Sequence, residues 1–259
     1  MSPFADWLTE HLVLAVLVLT RLSTLLMAMP AVAVGVPRRV RAMLAILLTG
    51  LILPPIADGV SGANLPPIDH LVGLAIAIGR EALIGMLIGA TIQLIVTGLQ
   101  LAGEAISSTG GMQLGDAVDP TTSTNMPTLA RLVGLLVTAV MLIVGGHRVL
   151  LSALVDSFQA LPAGRVTFHD TMMRLVIDQL STGMEVGIRV AAPVIGVLLL
   201  SNLVTGLVSR TLPQINVLAI GLSINALAML FVSAITVGAA GLIFQEQLVI
   251  IADRLAALW

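Results

Sequence analysis

Neither cysteine nor lysine occurs anywhere in the 259 residues. Without thiols there is no disulfide, no thiolate nucleophile and no zinc–thiolate site, and thiol usage gives no clue to redox compartment. Without lysine there is no Walker A loop, whose terminal lysine must neutralise phosphate charge, so a P-loop ATPase is excluded. All twelve basic residues are arginines, the formal net charge is −2, and no long basic run exists to engage nucleic acid. Charge of either sign is scarce at 10% of residues, where an ordinary soluble domain carries about 25%. His11, His70, His147 and His169 lie far apart, and none opens a His-Glu-x-x-His zinc helix. An intramembrane aspartyl peptidase needs two aspartates, one in a Gly-x-Gly-Asp turn. The nearest match, Gln113-Leu114-Gly115-Asp116, lacks the first glycine, and no apolar segment supplies a second aspartate. No catalytic residue, cofactor or metal is expected.

What the chain does have is apolar sequence from end to end: 58% hydrophobic residues and a mean hydropathy of +1.08. About 20 mostly apolar residues cross a hydrocarbon layer as a helix, and six segments are candidates. Segment 12–34 is interrupted by Arg21, segment 42–57 ends at Pro54-Pro55, and segment 71–103 exceeds one simple crossing and carries Arg80 and Glu81. Segment 132–154 is apolar as far as Gly145-Gly146 and then meets His147 and Arg148, while 190–208 and 217–244 are uncharged throughout. The expectation is an all-α membrane protein, one membrane domain over 1–259, with a C-terminal hairpin at 190–244. Arg210, Pro213, Gln214 and Asn216 form its turn, proline fixing its own φ and the polar residues satisfying backbone groups. Arg38, Arg39 and Arg41 place the first inter-helix loop in the cytoplasm by the positive-inside rule, with both termini outside. Asp6 and Glu10 stand where a secretory signal carries positive charge, so the first apolar segment is expected to remain in the mature protein.

Two stretches are not spans. Segment 107–127 holds Gly110, Gly111, Gly115, Pro120 and a Thr/Ser/Asn run that no regular helix survives. In 169–186, Met172, Met173, Val176, Ile177 and Leu180 recur at helical spacing against Asp170, Arg174 and Asp178, which predicts a separate amphipathic helix at a surface or partner. No repeat of 20–50 residues and no appended soluble domain is visible.

Arg21, Arg80, Glu81, Glu104, Glu185 and Arg189 sit in or beside apolar segments. Each would cost about 2.5–3.5 kcal/mol at the centre of a lipid-exposed helix, so they must face protein, water or one another. They either pair at segment ends or line a conduit or subunit seam. Glu185 and Arg189, four apart, can pair on one helix face. Gly85 with Gly89, Gly98 with Ala102 and Ala234 with Gly238 have the four-residue spacing that lets helices approach closely.

Gly103-Glu104, Gly111, Asp119-Pro120, Pro127, Gly146-His147, Ser157-Phe158 and Leu161-Pro-Ala-Gly164, in that order, resemble the central region of the FliR family of flagellar type III export-gate proteins. The C-terminal hairpin adds Asn202, Gly206, Ser209-Arg210, Pro213-Gln214, Asn216 and Gly221 to the likeness, and the N-terminal part adds Arg21, Pro30 and Val36-Pro37. Departures occur at Thr109, Gln113-Leu114-Gly115 and Gly145. The resemblance implies one copy of this subunit assembled with FliP-like and FliQ-like subunits into a cone-shaped gate of broken helical hairpins, at the centre of the basal body in the inner membrane. The gate would pass unfolded export substrates, powered by a separate ATPase and the proton-motive force. It also implies that 110–125 is the loop that plugs the pore. Gly110, Gly111 and Gly115 would give that loop its freedom and Met112, Leu114 and Val118 an apolar seal extended by Met126, with Asp119, Pro120 and Asn125 as its further residues. A homologous injectisome subunit would work the same way. A small-solute transporter predicts two similar halves, which are not seen.

Overall fold

A computed structural model describes residues 3–33, 35–59, 71–111, 128–166, 170–211 and 217–257. All regular structure among them is helical: α1 (Pro3–Ala28), α2 (Pro30–Ala33), α3 (Arg38–Gly59), α4 (Leu71–Thr109), α5 (Thr128–Val144), α6 (Gly146–Ala160), α7 (Asp170–Thr211) and α8 (Val217–Ala256). Among the described residues, 4 helices are long and apolar enough to cross a membrane, or up to 5 if the broken pair α5 and α6 counts as one span. The chain is an all-α membrane protein.

Several expected boundaries move. Helix α3 does not end at Pro54-Pro55 but runs through both to Gly59. Each proline withholds an N–H from the ladder, yet in apolar surroundings the alternative to helix is unpaired backbone, which costs more. The long segment beginning at Leu71 is one unbroken helix of 39 residues. At 1.5 Å per residue that is roughly 58 Å, about twice a hydrocarbon layer. Its last turn also takes in Ser107 to Thr109, which composition had assigned to the following loop.

The fourth apolar segment is not one rod. Gly145 adopts φ 88°, a left-handed conformation closed to most side chains, and separates α5 from α6. The ladder is not lost there: the Gly145 N–H donates to the Leu142 carbonyl at 3.3 Å, and its own carbonyl accepts from Arg148 at 2.8 Å.

The expected amphipathic helix and the fifth span are a single 42-residue helix, α7, with Pro193 inside it. No helix-breaking turn separates 186 from 190, and Glu185 and Arg189 bond to each other at 2.7 Å instead of interrupting the run. Met172 is buried, but Met173, Ile177 and Leu180 are exposed. The buried stripe of α7 runs instead through Met172, Leu175, Gln179, Val186, Val190, Val194 and Leu198, steps of three, four or seven that keep to one helix face.

The chain divides into two compact units, one of residues 1–93, 142–178 and 248–259, the other of 94–141 and 179–247, so α4, α5, α7 and α8 each contribute to both. In the first unit, α1 presents Leu14, Leu17, Val18, Leu22 and Leu25, and the first half of α4 presents Ala77, Ile84 and Ile88, all buried. Gly89 permits the contact between them: a Cβ there would stand 2.5 Å from that of Ala28. In the second unit, the core joins Ala102 and Ile106 of α4 to Ala191, Val194 and Leu198 of α7 and Met229 of α8. There α4 and α7 meet backbone to backbone. A Cβ on Gly98 would collide with the Gly183 carbonyl, one on Gly187 with the Gly98 carbonyl, and one on Gly183 would lie 2.5 Å from the Leu94 oxygen. Of the small-residue pairs read from sequence, Ala234 and Gly238 make no such seam, since space around Gly238 is open.

Candidate functional site

An arginine stands in the middle of the apolar stripe of α1, and its surroundings explain how. Arg21 Nε donates to Glu81 Oε2 at 2.6 Å, Nη1 donates to Ser157 Oγ at 3.0 Å, and Nη2 donates to the Leu161 carbonyl at 3.1 Å. The guanidinium carbon lies 4.0 Å from the centroid of the Phe158 ring. Glu81 uses its other oxygen to accept the Gly164 N–H at 2.8 Å, and Ser157 in turn donates to the Leu154 carbonyl at 2.6 Å. Both side chains of the ion pair are wholly inaccessible. A planar guanidinium has enough fixed donors to serve a carboxylate, a hydroxyl and a carbonyl at once, so neither charge is left unsatisfied. The node joins α1, α4 and α6 to the turn at 161–164, all within the first unit.

The second unit holds an uncharged counterpart at the other end of α4. Ser201 Oγ donates to Asn225 Oδ1 at 2.6 Å, Asn225 Nδ2 donates to Asn202 Oδ1 at 2.7 Å, and Asn202 Nδ2 donates to the Thr109 carbonyl at 3.2 Å. Gly110 is buried beyond Thr109, and a Cβ on it would lie 3.6 Å from Met229 Sδ and 3.8 Å from Leu198 Cδ1. Gly111 follows with φ 75°. Beside this, a furrow of about 460 Å³ runs along the α4–α7 seam, lined by apolar and small residues such as Leu101, Ala105, Met184, Ile188, Ala192 and Gly196. Among the described residues no cluster of His, Asp or Glu is placed to hold a metal ion.

Residues 12–249 match the family of bacterial export proteins, family 1. The chain belongs to that family. It is 34% identical over 187 residues to flagellar biosynthetic protein FliR of Escherichia coli K12, covering 72% of this chain and 69% of that protein. It is 27% identical over 234 residues to the protein of the same name from Caulobacter vibrioides, covering 90% and 92%. Surface presentation of antigens protein SpaR of Shigella sonnei is 27% identical over 158 residues, covering 59% of each chain.

In this bacterial export protein the residues singled out in the sequence meet different fates. Arg21 and Glu81, noted separately, are partners. Arg80, next to Glu81, is exposed, and Glu104 is half-buried. Glu185 and Arg189 pair as their spacing predicts, with side chains 66% and 63% exposed. Arg210 is exposed near the end of α7, whereas Pro213, Gln214 and Asn216 lie outside the described residues. Of the pore-closing loop, Gly110 and Gly111 are described, while Met112, Leu114, Gly115, Val118, Asp119, Pro120, Asn125 and Met126 lie outside the described residues.

Sequence reasoning missed the partners. Ser157, Phe158, Leu161 and Gly164 carried the family resemblance without a role, and all of them touch the ion pair. Asn225 is a further signal, because a lone amide in an apolar segment requires a partner. Gly183 and Gly187, a Gly-x3-Gly pair, were equally visible.

Proposed function

We propose that this chain is a subunit of the flagellar type III export apparatus in the bacterial inner membrane, which with FliP-like and FliQ-like subunits forms a conduit for unfolded flagellar proteins that segment 110–125 closes. The observation that carries this reading is a likeness to proteins named FliR, which for that of Caulobacter vibrioides extends over 90% of the chain. The apolar surface fits it. Only 11% of the most apolar part of α3 and 22% of that of α7 are buried, against 56% for α4. Faces so bare need lipid or neighbouring subunits to cover them. The passage of a polypeptide requires a smooth, reclosable path and no bond chemistry, and a glycine-rich segment leaves and re-enters such a path by changing a few dihedrals.

A second reading, a subunit of an injectisome, is favoured by the SpaR relative, but that likeness covers 59% of the chain where the flagellar one covers 90%. Co-expression with FliP-like and FliQ-like proteins tests the first reading: this chain should copurify with them. Deleting 111–122 should raise the ion conductance of the reconstituted assembly about tenfold or more. Equal, low conductance with and without the segment would make it a connector and place the seal in another subunit.

A further inference from the structure

Helix α3 begins with three arginines, Arg38, Arg39 and Arg41, and the structure uses them differently. Arg41 turns back: its Nη2 donates to the Ala33 carbonyl at 3.2 Å and to the Val36 carbonyl at 3.3 Å, which ties the start of α3 to the end of α2. Arg38 and Arg39 are exposed, and among the described residues neither has a hydrogen-bond or ion-pair partner. After Arg41 the helix carries no charge as far as Ala57. The 22 residues of α3 rise roughly 33 Å, close to the thickness of a hydrocarbon layer, about 30 Å, with the arginines at one edge.

The two sides of α3 differ as sharply. Toward α1 it buries Ala45 and Thr49, and the Thr49 hydroxyl donates within the helix to the Ala45 carbonyl at 2.7 Å, so it needs no partner elsewhere. On the other side Met43, Ile46, Leu47 and Leu51 are each more than 60% exposed. With Val40 and Leu44 they cover nearly half the circumference of the helix, more than the stripe of about 100° that a helix usually turns to its core. Helices that pack together in a membrane use small residues for close approach. The contact of α4 with α7 is made that way, at Gly98, Gly183 and Gly187. The bare side of α3 is built from large side chains instead, and Gly50, the one glycine of segment 42–57, has open space around it.

We propose that the outer side of α3 faces lipid and not another subunit: its apolar half lies against acyl chains, and Arg38 and Arg39 bind the phosphates of anionic phospholipid headgroups where the helix leaves the hydrocarbon. A guanidinium suits that ligand, because its planar fork meets phosphate oxygens two at a time and never loses its charge. Anionic headgroups attract basic side chains held at the membrane surface, and a long basic side chain at a helix end reaches them while its stem stays in apolar surroundings. The surface lies wholly within the first unit, and its role is the same in a flagellar apparatus and in an injectisome.

The chain has no cysteine, so single cysteines can carry probes. The test places a nitroxide on Met43→Cys, Leu47→Cys or Leu51→Cys of this chain, copurified with cysteine-free partner subunits and reconstituted in vesicles of phosphatidylcholine and phosphatidylglycerol. All three labels should collide readily with oxygen, which dissolves in hydrocarbon, and rarely with a water-soluble nickel chelate. Low access to both would put another subunit over α3, and high access to nickel would put it in water; either result overturns the proposal. A fluorophore on Val40→Cys, beside the arginines, reads the headgroups. Brominated phosphatidylglycerol should be preferred to brominated phosphatidylcholine as its quencher by about tenfold, and the preference should shrink as salt screens it. Arg38→Gln combined with Arg39→Gln should abolish the preference, whereas Arg41→Gln, which loses only the bonds to Ala33 and Val36, should keep it. No preference in the wild-type sequence, a preference that salt leaves unchanged, or one that survives the double variant would overturn the headgroup site. Should the double variant not assemble, the salt titration decides. A chain that does not copurify with FliP-like and FliQ-like subunits counts against the export reading alone, because the same labels are then read on the full chain in vesicles.

Discussion

Helix α4 is held near its two ends by opposite kinds of chemistry. At Glu81 it enters a full ion pair, both side chains wholly inaccessible, that also grips the turn at 161–164. At Thr109 it is held by a chain of neutral amides ending on a single carbonyl. Opening the first would strand a charge in apolar surroundings, at a cost of several kcal/mol, whereas opening the second costs about one hydrogen bond, near 1 kcal/mol. The difference is one of strength: a buried charge pair fixes the turn at 161–164, and a single neutral amide bond holds the last carbonyl of α4.

The comparison breaks most visibly at Arg21. Arg21→Met leaves Glu81 buried with only the Gly164 N–H and should lower stability by about 3–5 kcal/mol, seen as a large fall in the thermal midpoint of the detergent-solubilised assembly. The double variant Arg21→Met, Glu81→Met should regain most of that loss. A double variant no more stable than the single one would show that the Ser157, Phe158 and Leu161 contacts, not charge pairing, hold the joint.

A middle-sized effect is expected at the glycine contact between α4 and α7, where backbone meets backbone. Gly98→Ala drives a methyl into the Gly183 carbonyl and should cost about 1–3 kcal/mol by forcing the helices apart. Gly196→Ala on the same α7 meets open space and should be neutral or stabilising by up to about 1 kcal/mol through helix propensity. Thermal midpoints of the two variants separate close packing from propensity; equal midpoints would show that the seam relaxes freely. The smallest effect belongs to the exposed pair, where Glu185→Gln should shift stability by less than about 0.5 kcal/mol, because solvent screens it. A shift as large as that of Arg21→Met would place this pair in a buried subunit seam of the assembly.

Local rules made part of this legible. The Glu185–Arg189 pair is four residues apart on one helix, so spacing alone predicts it, whereas segment 132–154 reads as one span and its break at Gly145 appears only in the structure. The same reasoning stopped α3 at Pro54-Pro55 and cut α7 into two pieces. Proline and charge were treated as terminators, when an apolar environment penalises unpaired backbone more than either. On α7 the amphipathic pattern of Met172, Met173, Val176, Ile177 and Leu180 predicts a separate helix facing a surface or a partner. Met173, Ile177 and Leu180 are exposed, but the helix is continuous with the following span, and its buried face follows the glycines that let α4 approach.

Composition and short-range pattern by themselves determined that this is an all-α membrane protein, that lysine-dependent and thiol chemistry are absent, that it resembles an export family, and which charges needed partners. Only the tertiary structure decided who those partners are. Arg21 and Glu81 are 60 positions apart, Arg21 and Leu161 are 140 apart, and Asn202 and Thr109 are 93 apart. Helical periodicity tells which residues share a face of a segment, since that depends on neighbours three and four residues away. It carries no information about which other helix covers that face, because that depends on how whole helices pack, and in an apolar protein small residues and a few polar groups make that choice.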